Sequence, residues 1–188
     1  MISIPFNKPY ISGKEFEYMK DAADRGHLSG NGFYTQKCQT FFEERYGFKK
    51  CLLTTSCTDA LAIDAYYKDR PLESIGHMGC FSFHDTKGIQ CGEEGMLVIN
   101  DDRFLKRAEI IWEKGTDRAA FFRGEVDKYS WVNLGSSFQP SELTAAFLHA
   151  QLENLDSIQS RRLEIWNAYH EKLIPLAEKG LIYIPDIP

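Results

Sequence analysis

An α/β fold is what this sequence predicts, and three observations predict it. Segments with helical spacing of apolar residues alternate with short apolar runs of strand length. The breaks between them carry glycine or helix-capping residues. A length of 188 residues with 43% hydrophobic content is enough for one sizeable core without metals or disulfides.

Taken in order, Ser12 followed by Glu15 has capping-box spacing, and Phe16, Met19, Ala22 and Ala23 recur at helical intervals, so a helix is expected over about 13–25. Gly26 ends it, and the glycine-rich run to Gly32 reads as an exposed loop that can approach a ligand closely. A second helix carries Cys38, Phe41, Phe42 and Tyr46 on one face and closes at Gly47 in a left-handed cap. Cys51 to Thr55 reads as a buried strand, and Asp59 to Tyr67 carries helix formers, which makes Ser56-Cys57-Thr58 a strand-turn-helix junction. Such a junction turns backbone N–H groups and the positive end of a helix outward. The hydroxyls of Ser56 and Thr58 there serve either a phosphate or, in their commoner use, as plain helix caps.

Short strands are expected at Cys80–Phe83 and Met96–Ile99, separated by a glycine-containing loop, His84 to Gly95, that holds Lys87. Asp101 or Asp102 caps a helix whose buried face is Phe104, Leu105, Ala108, Ile111 and Trp112, ending at Gly115. The aromatic-rich connection from Gly115 to Pro140 has no clear period. Two helices follow, at about 141–154 and 156–178, and a terminal strand at about 181–184.

The charge balance narrows the function classes. A net charge of -5 gives no broad footprint for nucleic acid. No run of about 20 apolar residues is present to span a membrane. Five cysteines without a framework spacing, and no secretory signal at the N-terminus, fit a soluble protein in a reducing cytoplasm.

Taken alone, a lysine in a glycine loop is usually a solvated charge. The segment around it alters that reading. Ser82-Phe83-His84, then Lys87, then Gly92-Glu93-Glu94-Gly95 resembles the Ser-Phe, Lys, Gly-Glu-Gly-Gly signature of the sugar aminotransferases of fold type I, the DegT-like family. Ile4-Pro5-Phe6-Asn7, Gly30-Asn31-Gly32 and Thr54 to Leu61 are similar to that family's N-terminal portion. Further on, Glu113 to Arg118, Phe121 to Gly124, Asp127-Lys128-Tyr129 and Gly135 to Phe138 resemble a narrower group, the dTDP-4-amino-4,6-dideoxygalactose transaminases of bacterial surface-polysaccharide synthesis.

The resemblance implies a pyridoxal 5'-phosphate cofactor, which needs a lysine, a phosphate cradle, an acid at the ring nitrogen and contacts on the ring. It implies that Lys87 binds the cofactor and moves the proton between substrate and cofactor. It assigns Ser56, Cys57, Thr58 and Ser82 to the cofactor, with Ser56, Thr58 and Ser82 at its phosphate. It assigns Gly30, Gly32, Arg118 and Ser137 to the substrate side. It further implies a cytoplasmic homodimer that takes nitrogen from glutamate and delivers it to a dTDP-4-keto-6-deoxyhexose, with no nucleic acid, membrane or metal involved. Glu94 departs from the pattern, standing where the family has glycine; an anion there crowds a turn or repels a phosphate.

A second departure is larger. The family places several strand-helix units of about 30 residues each between the Ser-x-Thr helix and the strand before the lysine, and here that interval is nearly gone. The expectation is therefore a single incomplete large domain over 1–188, lacking central strands and the C-terminal small domain. The lost interval carries the ring-stacking aromatic residue and the aspartate facing the ring nitrogen. Asp64 either replaces that aspartate or, more simply, belongs to the helix after Ser56. Three alternatives remain: a zinc module from His77, Cys80, His84 and Cys91, a cysteine hydrolase built on Cys57 with His77 or His84, and a catalytically impaired homologue that pairs with an intact subunit through the aromatic loop 119–138.

Overall fold

A computed structural model describes residues 4–5, 7–56 and 63–185. The chain divides into two compact units, Met1–Glu153 and Asn154–Pro188. The first unit begins with α1 (Glu15–Asp24) and α2 (Phe33–Tyr46), followed by β1 (Lys50–Thr54). A small hairpin, β2 (Tyr66–Tyr67) and β3 (Arg70–Pro71), leads through a 3-10 turn to β4 (Met78–Ser82) and β5 (Gly95–Ile99). Then come α3 (Asp102–Trp112), the short α4 (Arg118–Phe122) and α5 (Glu142–Glu153). The second unit is α6 (Leu155–Glu178) and the segment after it.

The local signals explain most of these elements. Glu15 forms half of a capping box: its carboxylate accepts from the N–H of Ser12 at 2.6 Å and of Gly13 at 2.8 Å, while the Ser12 hydroxyl donates to Ala150 instead. Gly47 closes α2 with φ of 70°, the left-handed conformation expected of it. Asp101 is the cap of α3, its side chain accepting from the Arg103 N–H at 3.0 Å.

Strands β1, β4 and β5 form one sheet in the order β1-β5-β4, antiparallel throughout. Alternation sends Leu52 and Leu97 to the face covered by Trp112, Phe104, Leu105 and Ala108 of α3. On the other face Phe81 meets Phe42 of α2, ring centroids 4.8 Å apart. Behind α2 and α1 lies α5, whose buried Ala145, Ala146 and Ala150 let helices pack closely. One edge of β1 is closed by side chains: Gln39 and Glu43, four apart on α2, accept from the N–H groups of Leu53 (3.1 Å) and Cys51 (2.8 Å). The Thr55 N–H beyond them goes to the carbonyl of Phe138.

Three expectations are corrected. The expected helix Asp59–Tyr67 does not extend through its second half: residues 63–64 form a turn and Tyr66–Tyr67 form β2, while 57–62 lie outside the described residues. Asp64 has φ of 55° in that turn, so it does not belong to a helix. No strand forms at 181–184. The connection 115–140 contains α4, which is too short to show a period in sequence.

Candidate active site

Sheet register explains why the residues singled out by sequence converge. Thr54 of β1, Gly95 of β5 and Ser82 of β4 lie side by side across the sheet, because Thr54 pairs with Gly95 and Gly95 with Ser82. The chain leaves β1 toward Ser56 and leaves β4 toward His84 and Lys87, and it enters β5 from Glu93 and Glu94. These five positions therefore gather beyond one end of the sheet.

There they line a cleft of about 330 Å³ made by Ser56, Ser82, His84, Thr86, Lys87, Glu93 and Glu94. Backbone bonds hold its shape: Phe83 N–H donates to Glu94 at 2.8 Å, Cys91 N–H to Phe83 at 2.9 Å, and Lys87 N–H to His84 at 2.9 Å. The Asn7 amide donates to the Asp85 carbonyl at 3.0 Å and ties the N-terminal segment to the same loop. Lys87 is exposed, and its amine has no ion-pair partner among the described residues. Nδ1 of His84 lies 2.8 Å from Asp85 and 3.0 Å from the Thr86 hydroxyl, with Nε2 3.6 Å from Glu93.

Glu94 is the unusual member. It is 2% exposed; one carboxyl oxygen meets the Cys91 thiol at 3.5 Å and the other has no hydrogen-bond partner. Burial pushes its carboxyl up to about 7, and the nearby Glu142 adds to the rise. Sequence marked Glu94 only as a departure from glycine; its burial comes from α2 and α5, which no local pattern links to the loop.

The other expected site residues lie elsewhere. Asp64 forms an ion pair with Arg45 at 3.2 Å and accepts from the Tyr46 hydroxyl, and it does not line the cleft. Cys57 and Thr58 lie outside the described residues. Gly30 and Gly32 are pressed against the start of α5: a Cβ at Gly30 would sit 2.4 Å from Gln139, and one at Gly32 2.6 Å from Glu142. Their want of side chains is used in packing. Arg118 opens α4 with its guanidinium 5.2 Å from the Phe122 ring, and Ser137 bridges to Glu113 in an exposed segment. For the zinc alternative, no group of three or more His, Cys, Asp or Glu side chains converges among the described residues. His77 instead pairs with Asp101 at 3.1 Å. A larger, mostly apolar cavity of about 520 Å³ lies between the sheet and α3; it shares Ser56 with the cleft but has no lysine.

The donor set fits part of pyridoxal phosphate. An unpaired amine and two hydroxyls suit an aldehyde carrying a phosphate ester. No side chain lining the cleft is a Phe, Tyr or Trp able to stack on a ring.

Comparison with known proteins agrees with this architecture. The chain is 34% identical over 113 residues to the spore coat polysaccharide biosynthesis protein SpsC of Bacillus subtilis, a match covering 58% of this chain and 29% of that protein. It spans less than a third of the length of the curated relatives it matches, 29% and 32%. The aminotransferase from Psychrobacter cryohalolentis shares the fold with a TM-score of 0.84 at 15% identity, over 97% of this chain and 72% of the other. So does the Escherichia coli GDP-4-keto-6-deoxy-D-mannose-3-dehydratase with bound hydrated PLP, with a TM-score of 0.76 at 14% identity, over 92% and 73%. Since the characteristic sequence pattern matches residues 61–186, two thirds of the chain, the protein belongs to the DegT/DnrJ/EryC1/StrS aminotransferase family.

Proposed function

We propose that this chain carries the cofactor lysine and phosphate cradle of a pyridoxal-phosphate-dependent sugar aminotransferase. The nitrogen donor is glutamate, the acceptor a dTDP-4-keto-6-deoxyhexose, and the working form a homodimer in the cytoplasm. The observation that carries the reading is the single cleft shared by Lys87, Ser56 and Ser82. Membership of the family and the fold shared with aminotransferases support it.

When bound, the cofactor supplies an electron sink for moving nitrogen from donor to acceptor. The protein's part is positional. The hydroxyls of Ser56 and Ser82 offer hydrogen bonds to a phosphate, and Lys87 offers an amine to an aldehyde and can then hold or release a proton at Nζ. No helix among the described residues is long and apolar enough to cross a membrane.

One observation favours a second reading. Asp64, the only aspartate that sequence offered for the ring nitrogen, is engaged by Arg45 and Tyr46. A chain without a carboxylate at that nitrogen binds the cofactor yet turns over slowly, and acts as a partner for an intact subunit. Titration with pyridoxal phosphate tests both readings. An absorbance band near the visible edge, with borohydride fixing the cofactor on Lys87, is the expected result. A Lys87→Ala protein keeping the same band would refute the assignment, and a band without glutamate-dependent turnover would select the second reading.

A further inference from the structure

The cavity of about 520 Å³ between the sheet and α3 takes no part in the cofactor reading, although it touches that cleft at Ser56. Alternation along the strands puts Met78 and Cys80 of β4 on one wall with Leu97 of β5, the cross-strand partner of Cys80. Helical spacing puts Phe104, Ala108 and Ile111 of α3 on the other. Trp112 also lines it, and its indole N–H donates to the Leu53 carbonyl at 2.7 Å, which fixes the ring at the wall. Packed interiors hold few voids larger than a water molecule, whereas small-molecule sites run to about 300–1,000 Å³. By volume and lining this is a site rather than a packing fault.

One charge among the described lining residues gives the site a direction. Arg107 is exposed and lies one turn from both Phe104 and Ile111 on α3, so a guanidinium stands at the rim of the apolar walls. The other charges nearby on the helix are engaged, Arg103 by Asp101 and Glu109 by Arg123, and Arg107 has no ion-pair or hydrogen-bond partner among the described residues. We propose that this cavity binds an amphiphilic organic anion, its apolar body between the sheet and α3 and its single acidic group on Arg107. The walls reward the body by taking it out of water, and the planar fork of the guanidinium matches an acid group with two or more oxygens. A neutral guest of the same shape gains only the first of these. A guest with several acid groups brings more charge than one guanidinium answers.

Two dyes that share an apolar body separate these contributions: anilinonaphthalene sulfonate carries an acid group and phenylnaphthylamine does not. Fluorescence titration of the full chain is expected to show saturable binding of both, the sulfonate more tightly. Arg107→Gln, a change on the helix surface, should weaken the sulfonate about tenfold and the neutral dye less than about twofold. Ala108→Phe fills the cavity and should weaken both about tenfold or more; Ala108→Met, a smaller filling, serves if the phenylalanine variant fails to fold. Equal losses for the two dyes in Arg107→Gln would overturn the charged recognition, and full sulfonate affinity in the filled variants would overturn the site itself. Trp131→Ser combined with Leu134→Ser is expected to bind both dyes as wild type does; a loss there would move the site to the exposed loop. Lys87→Ala is likewise expected to bind them normally while losing borohydride-fixed cofactor, so failure of the cofactor reading is seen separately. Weakened dye binding in Lys87→Ala would overturn the proposal by moving the dyes to the cleft.

Discussion

Two buried carboxylates at neighbouring positions meet opposite fates, and the difference is hydrogen-bond supply. Glu142, 2% exposed, accepts from the N–H groups of Gly32 (2.9 Å), Tyr34 (2.7 Å) and Thr35 (3.2 Å) and from the Thr35 hydroxyl. It thus caps the N-terminus of α2 from another helix. Glu142→Ala leaves these donors buried and unpaired, and is expected to lower stability by about 2–4 kcal/mol in urea unfolding. A loss below about 0.5 kcal/mol would mean that water replaces the carboxylate. Glu94 has no such supply, and its folded form keeps its proton to about 7, against 4.5 for an unperturbed carboxyl. Between those values the folded state binds more protons than the unfolded one, so stability falls as pH rises through the window, by about 3 kcal/mol in total. Glu94→Gln should flatten that fall; an unchanged profile would put its origin elsewhere. Glu15 works in the opposite sense and a lower window. Burial alone would raise its carboxyl, but the N–H groups of Ser12 and Gly13 outweigh this and hold it at about 2, so its contribution is lost as pH falls below 4.5 toward that value.

At the scale of elements, sequence was most informative where local chemistry and tertiary packing agree. α1, α2 with its Gly47 cap, α3 with its Asp101 cap, and the strands β1, β4 and β5 all follow from periodicity and punctuation. The cleft was legible for the same reason. Ser82 ends β4, Ser56 follows β1 and Lys87 follows β4, and strands in register bring such positions together. Where sequence failed, a distant partner decided. Asp64 is drawn into a left-handed turn by Arg45 and Tyr46, and Gly30 and Gly32 are claimed by residues 139–142, more than 100 positions away. Nothing local announces those partners. The edge of β1 is a further case, since it depends on Gln39 and Glu43 reaching across from α2. Gln39→Leu, close in volume but unable to accept, strands the Leu53 N–H and is expected to cost about 1–3 kcal/mol. Hydrogen exchange should then quicken at Leu53 before it does in β5, and unaltered protection there would count against a closed edge.

The whole molecule exposes apolar surface in a pattern that a lone monomer does not need. In the first unit the segment after α4 carries Tyr129, Trp131 at 78% exposure, Val132 and Leu134 at 89%, with Phe122 and Phe138 exposed on either side. These residues are ordered by hydrogen bonds to Gly115 and Asp117, including Val132 N–H to the Gly115 carbonyl at 2.8 Å and Ser130 N–H to the Asp117 side-chain Oδ1 at 2.7 Å, so the apolar groups are presented on a fixed loop. Large aromatic and aliphatic side chains held out to solvent are the composition of an interface core. Self-association through this loop would cover them, and Trp is the residue type in which binding energy most often concentrates. Sedimentation equilibrium across a range of concentrations is expected to show reversible self-association. Trp131→Ser combined with Leu134→Ser removes two anchors without touching the buried core, and should weaken that association about thirtyfold or more, corresponding to about 2 kcal/mol. The same variant should unfold at the wild-type urea concentration when both are dilute and monomeric, since neither side chain is buried within the chain. If the double variant associates as tightly as wild type, this loop is not the surface on which two copies meet.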